Sequence, residues 1–112
     1  ITAEQLKQLF EKRAKMGLCL DVSHAYLWSP QETEKIITLL GKKITQVHYS
    51  ATYRKKDHQS FKTITEQFIK SIQPIKKLKA PVILEENMTF ASIKQIQEEI
   101  QLAKSLLLME KA

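Results

Sequence analysis

The chain has 112 residues, of which 43% are apolar and 27% charged, and its formal net charge is +6. That length allows one domain and excludes a closed eight-stranded α/β barrel, which needs roughly 250 residues; the composition excludes disorder and a membrane span of ~18 apolar residues. The basic excess attracts anions without specifying a partner, and part of it is local, in Arg54, Lys55 and Lys56 and in Lys76, Lys77 and Lys79.

Nothing at the start reads as a signal peptide, and opening on Ile1 rather than Met suggests a processed product or a piece of something longer. The lone Cys19 excludes an internal disulfide and suits a reducing, cytoplasmic compartment.

Residues 2–16 read as a helix, with Thr2 as N-cap, Gln5 at the capping-box position and Leu6, Leu9, Phe10 and Ala14 along one stripe; Gly17 offers a stop. Residues 18–22 form a short apolar strand. Ser29 as cap, Pro30 at the first helical position and Glu32 returning the capping-box bond open a second helix. It buries Ile36, Ile37, Leu39 and Leu40 and ends at Gly41. Residues 43–50 form the second strand and a polar loop runs through Ser60. Thr63 with Glu66 opens a third helix that buries Ile64, Phe68, Ile69 and Ile72 and stops at Pro74. Residues 81–85 form the third strand, and Thr89 caps a last helix with Ile93, Ile96, Ile100, Ala103 and Leu107 on one face.

The expected fold is therefore α/β, with three parallel strands alternating with four helices in a single unit over residues 1–112. In such sheets functional groups gather beyond the carboxyl ends of the strands. Alternation places Gln46 and His48 with Ile44 on one face of the second strand, opposite Thr45, Val47 and Tyr49. It places Glu85 with Pro81 and Ile83, opposite Val82, Leu84 and Glu86, and Asp21 with Cys19. If the more apolar face packs on helices, Asp21, His48 and Glu85 all point away from them, toward a barrel interior, and Glu86 is the weaker candidate.

Those three residues, with His24, Asp57 and His58, offer oxygen and nitrogen donors that suit a catalytic Zn²⁺, Mn²⁺ or Fe²⁺ site better than a closed structural zinc. An ionisable group at the end of a buried strand needs a partner, and a carboxylate directly after Pro-Val-Ile-Leu is natural beside a cation. Asp21 and His24 serve equally as a capping carboxylate and a hydrogen-bonded loop histidine, and His48 as a satisfied core histidine. Asp57 and His58 are adjacent and cannot point the same way in an extended segment, so one ligates and the other orients unless a loop turns both inward. Arg54, Lys55 and Lys56 either contact phosphate or are solvated loop charges. Tyr53 reads as a loop aromatic and Tyr49 as core. Cys19, inside its strand, reads as a small buried hydrophobe rather than a nucleophile. Asn87 and Met88 line the pocket or form a turn, and Met16 and Met109 are packing residues.

The segments GLCLDVSHA, ITQVHYS, KKDH and PVILEEN resemble the last three strand regions of the xylose-isomerase-like TIM-barrel superfamily. That superfamily holds sugar isomerases and epimerases, endonuclease IV-type abasic-site nucleases and UV-damage endonucleases. The resemblance implies a partial TIM barrel, the C-terminal portion with strands six to eight, in which Asp21, His48 and Glu85 match shared metal ligands. His24 matches a ligand of the nuclease branches and a substrate-contacting histidine of epimerase-like members, and His58 the late loop histidine of the nucleases. Asp57 approximates the aspartate of the pattern Asp-Arg-His, without its middle residue, and QSFKT stands where a glycine-rich run usually follows.

The resemblance implies a metal-dependent phosphodiesterase acting on damaged or abasic DNA, with Arg54, Lys55 and Lys56 on phosphate. The alternatives are a sugar isomerase or epimerase with Glu85 as ligand and proton-transfer base, and a non-catalytic barrel fragment. Turnover is expected only once the missing barrel half, from a parent chain or another subunit, completes the shell.

Overall fold

The computed structural model describes residues 2–13, 15–86 and 91–108. Ala14, Asn87, Met88, Thr89 and Met109, which the sequence assigned to packing, pocket or capping roles, lie outside them. The elements are helix α1 (Ala3–Phe10), strand β1 (Leu18–Asp21), helices α2 (Val22–Trp28) and α3 (Glu32–Leu40), and strands β2 (Ile44–Tyr49), β3 (Ala51–Tyr53) and β4 (Lys56–Gln59). Helix α4 (Glu66–Ile72), strand β5 (Val82–Leu84) and helix α5 (Ile93–Leu108) complete the chain.

Strands β1, β2 and β5 form a parallel sheet in the order β1-β2-β5, alternating with helices and not closed into a barrel. Helices cover one face, where Leu20, Val47 and Tyr49 are buried among Val22, Phe68 and Ile72. Burying each such side chain contributes about 1.5–3 kcal/mol, which makes this face the main source of stability. The other face carries Cys19, Gln46, His48 and Ile83, with no layer over it among the described residues.

Two elements correct the expected plan of four helices and one sheet. Residues 22–28, read as strand end and loop, form α2, because the Asp21 carboxylate accepts the His24 backbone N–H at 3.0 Å and caps it. The polar loop after β2 contains the antiparallel hairpin β3–β4. No Asn-Gly marks its turn; Arg54 and Lys55 adopt φ of 51° and 63° instead, the left-handed pair that a type I′ turn requires. Each non-glycine residue held there costs on the order of 1–2 kcal/mol.

Helix boundaries shift for local reasons. Helix α1 keeps its Thr2–Gln5 capping box but stops at Phe10, since Glu11, Lys12 and Arg13 offer nothing to bury and Met16 is exposed. Leu9, on its expected stripe, is exposed as well, and Leu39 of α3 lies at the margin of exposure. Glu32 does not close a capping box with Ser29; its buried carboxylate accepts the Ala3 N–H at 2.7 Å and ties α3 to the start of α1. Thr65, not Thr63, caps α4, and a Ser92–Gln95 capping box opens α5. Helix α4 ends ahead of Pro74 as expected.

The buried stripe of α5 is Glu99, Ala103 and Leu106, whereas Ile93 and Ile100 are exposed. Glu99 sets that rotation. Its carboxylate accepts Ser60 Oγ at 3.0 Å and the Phe61 N–H at 2.6 Å, bonds that hold a buried charge in the core.

A β-bulge between Leu18 and Cys19 in the β1–β2 register makes Thr45 the extra residue, so Ile44 turns into the core while Gln46 and His48 stay on the open face. Gly17 permits this, because a Cβ there would lie 2.6 Å from Thr45 Cγ2. Gly41, by contrast, is right-handed at φ −52° with its nearest neighbour 3.9 Å away. Gly17→Ala is therefore expected to destabilise by about 1–3 kcal/mol in urea unfolding, with much of the loss recovered by adding Thr45→Ala. Gly41→Ala should cost nothing. Equal effects of the two glycine substitutions would refute the close approach.

Glu86, on the helix-covered side of β5, lies against Glu99 and has one oxygen buried without a partner. Burial first, then the hydrogen bond to Glu99 and its charge, push the Glu86 carboxyl up to about 8 from the ordinary 4.5. Ser60 and Phe61 already donate to Glu99, so the proton of the pair resides on Glu86. A carboxyl whose value is raised on folding stabilises fully below its unfolded value, and that share is lost as pH rises through the folded one. The melting temperature should accordingly fall between pH 5 and 9, and Glu86→Gln should flatten that slope and raise stability at pH 9. An unchanged slope would remove Glu86 as its source.

Candidate metal centre

All three histidines and three of the carboxylates singled out from the sequence, Asp21, Asp57 and Glu85, collect at the carboxyl end of the sheet. Register builds the first cluster: Asp21 stands opposite His48 across β1–β2, and the Glu85 N–H bonds Tyr49 O to extend the β2–β5 ladder. Neighbouring strands lie about 4.8 Å apart. One ligand atom each of Asp21, His48 and Glu85 falls within 4.8 Å of the others.

The donor atoms suit a cation. His48 Nε2 lies 2.7 Å from Gln46 Oε1, so Nε2 carries a proton and, in the neutral ring, Nδ1 presents its lone pair. Glu85 Oε2 sits 2.5 Å from that Nδ1, buried and without a hydrogen bond. The contact is closed either by a proton on His48, as an ion pair, or by a positive ion shared between the two side chains.

A second cluster lies beside the first, over α2 and the hairpin. Asp21, His24 and His58 bring one ligand atom each within 4.8 Å. Asp57 joins them, with Oδ2 2.5 Å from His24 Nε2 and 3.4 Å from His58 Nε2. The His24 and His58 rings meet edge to face at 5.1 Å between centroids. The adjacent pair Asp57 and His58 both turn inward because β4 carries a second bulge, with an extra residue between Gln59 and Lys56 and His58 in the left-handed region at φ 52°. That kink breaks the alternation of an extended strand and re-aims the side chain.

Asp21 serves both readings the sequence left open. Oδ1 caps α2, while Oδ2 lies 3.5 Å from His24 Nδ1 and 3.8 Å from His58 Nε2. Arg54, Lys55 and Lys56 are exposed at the hairpin tip, with the Arg54 guanidinium 5.1 Å above the Tyr53 ring. Tyr49 is core as expected; its hydroxyl donates to Ala103 O at 3.0 Å, and burial, then the Glu86 charge, push it well above the ordinary tyrosine range.

Cys19 is not the buried hydrophobe expected of it. It is exposed on the open face with Sγ 3.9 Å from Gln46 Oε1, since it shares the parity of Asp21. Partial burial, then Asp21 and Glu85, push its thiol up, away from the reactive thiolate. Sequence reasoning missed Gln46, Ser23 and Ser50, whose polar atoms hold the histidines; a glutamine two residues before His48 on the same strand face was the available signal for the first.

Beside Asp21 and His24, along the free edge of β1, runs a groove of about 190 Å³ walled by Leu6, Leu20, Trp28 and Ile36. Among the described residues no helix is long and apolar enough to cross a membrane. Comparison with protein-family models, curated proteins and solved structures gave no match to this chain.

Asn caps a helix as well as Asp but carries no charge. Asp21→Asn is expected to keep stability within about 0.5 kcal/mol while weakening Zn²⁺ or Mn²⁺ binding by calorimetry, whereas Asp21→Ala should lose about 1 kcal/mol more through the cap. Undiminished metal binding by both variants would exclude Asp21 as a ligand.

Proposed function

We propose that these residues form the metal-binding end of a divalent-metal-dependent phosphodiesterase acting on damaged or abasic DNA. The observation that carries this reading is the second cluster. A sugar isomerase or epimerase needs only Asp21, His48 and Glu85, and leaves Asp57 and His58 peripheral. Here a strained bulge turns both of those residues onto His24, which a multi-metal phosphodiesterase explains. The likeness of the segments around Asp21, His48, His58 and Glu85 to the nuclease branches of the xylose-isomerase-like superfamily supports the same choice.

Divalent ions in such shells supply positive charge to a transferring phosphoryl group and make water more acidic. Asp21, His48 and Glu85 would hold one ion, and His24 and His58, sharing Asp21 and with Asp57 beside them, another. Glu85 would also orient water or take its proton. The guanidinium and ammonium groups of Arg54, Lys55 and Lys56, beyond the second cluster, would bind backbone phosphate and hold the strand against the site. In this reading the sheet is completed by further strands at its β1 and β5 edges, as in strands six to eight of a barrel.

The full protein carrying this chain, dialysed against Zn²⁺ or Mn²⁺, should retain more than one ion per molecule and cleave an abasic duplex. His58→Ala should abolish cleavage. Arg54→Asn with Lys55→Gly should stabilise the turn by about 1 kcal/mol or more, yet lower the salt slope of DNA binding by roughly 2. A single bound ion with cleavage indifferent to His58 would overturn the reading in favour of the sugar enzyme.

A further inference from the structure

Three buried hydroxyls with no place among the ligands converge on the segment that carries His58. Ser23 is 0% exposed, Ser50 1% and Thr52 5%. Ser50 Oγ lies 3.2 Å from His58 Nδ1. Ser23 Oγ accepts the His58 backbone N–H at 3.0 Å and contacts Thr52 Oγ1 at 2.8 Å, while Thr52 returns a bond to Ser23 O at 2.8 Å. Ser23 also reaches Ala51 O at 3.1 Å. The first turn of α2, which holds Asp21 and His24, is thereby cross-linked to the hairpin that holds Asp57 and His58.

The geometry distinguishes the two nitrogens of His58. Nε2 faces the carboxylates, 3.4 Å from Asp57 Oδ2 and 3.8 Å from Asp21 Oδ2, and among the described residues neither approach is a hydrogen bond. A histidine that ligates through one nitrogen needs an acceptor for the proton on the other, and that acceptor fixes ring and tautomer together. A serine hydroxyl both donates and accepts, so Ser50 can receive the Nδ1 proton whenever Nε2 is engaged. Left-handed backbone at His58 is unfavourable for a histidine, and the Ser23 bond to its N–H holds it there.

We propose that Ser50 is the positioning residue of the second centre: it accepts the His58 Nδ1 proton and commits Nε2 to the metal, with Ser23 holding the backbone that aims the ring. This rests on the metal-dependent reading above. His48 is presented the opposite way, with Nε2 tied to Gln46 and Nδ1 turned to Glu85. The two histidines thus have separate supports that can be removed one at a time.

The test is a Zn²⁺ titration by calorimetry with ¹⁵N spectra of the imidazoles. In zinc-loaded wild type, His58 should coordinate through Nε2 and show a slowly exchanging Nδ1–H. Ser50→Ala should lose that signal and weaken one binding event by about 10- to 100-fold. The event that depends on Gln46, identified with Gln46→Leu, should be unchanged, and Ser50→Thr, which keeps the hydroxyl, should restore the lost affinity. Coordination of wild-type His58 through Nδ1 would overturn the proposal without any variant, whether or not Ser50→Ala folds. Two intact binding events in Ser50→Ala would overturn it while leaving the metal reading standing. Wild type that takes up no zinc would overturn both.

Discussion

Asp21 ends β1 and begins α2, and its two oxygens are committed to different tasks. Oδ1 holds the His24 N–H and so fixes where the helix starts; Oδ2 faces the side chains gathered above the sheet. Had the chain continued as an extended loop, His24 would not be held over Asp57, and Ser23 would not reach the His58 backbone. The cap therefore decides the position of one cluster, while the strand register opposite His48 decides the other. A residue at a strand-to-helix junction is well suited to this, because its backbone is pinned from both sides.

The arrangement also concentrates cost. Asp21, Asp57 and Glu85 bring carboxylates together, and three non-glycine residues, Arg54, Lys55 and His58, occupy left-handed backbone within one short hairpin. Unfavourable conformations gathered next to polar side chains are characteristic of sites shaped for a task other than stability. The stabilising side of the molecule lies across the sheet, where Phe68, Ile72, Val22 and Val47 are almost wholly buried. One face holds the fold and the other bears the strain.

Much of the sheet was legible because its signals are local and periodic. Alternation along β2 and β5 put His48 and Glu85 on the open face, where they are found, and separated Glu85 from Glu86. The same parity argument pointed to an exposed Cys19, which its apolar neighbours disguised. What stayed hidden depends on distant partners. Helix α2 has a capping aspartate but no glutamate or glutamine to complete a capping box, and its histidine read as loop chemistry. The Arg54–Lys55 turn carries none of the residues that announce a hairpin. The rotation of α5 is set by Ser60 and Phe61, far away in sequence, which donate to Glu99.

The central position of β2 has a consequence for the order in which the molecule assembles. Its partners β1 and β5 lie on either side of it in sequence, and both pairings are parallel, so each closes a long loop before any bond rewards it. Asp21, His48 and Glu85 become neighbours only when both pairings are made, whereas Asp57 and His58 sit on a hairpin that closes through nearby residues. The two clusters thus record different stages of folding: the hairpin's half of its cluster is local chemistry, and the cluster across the strands reports that the sheet is complete.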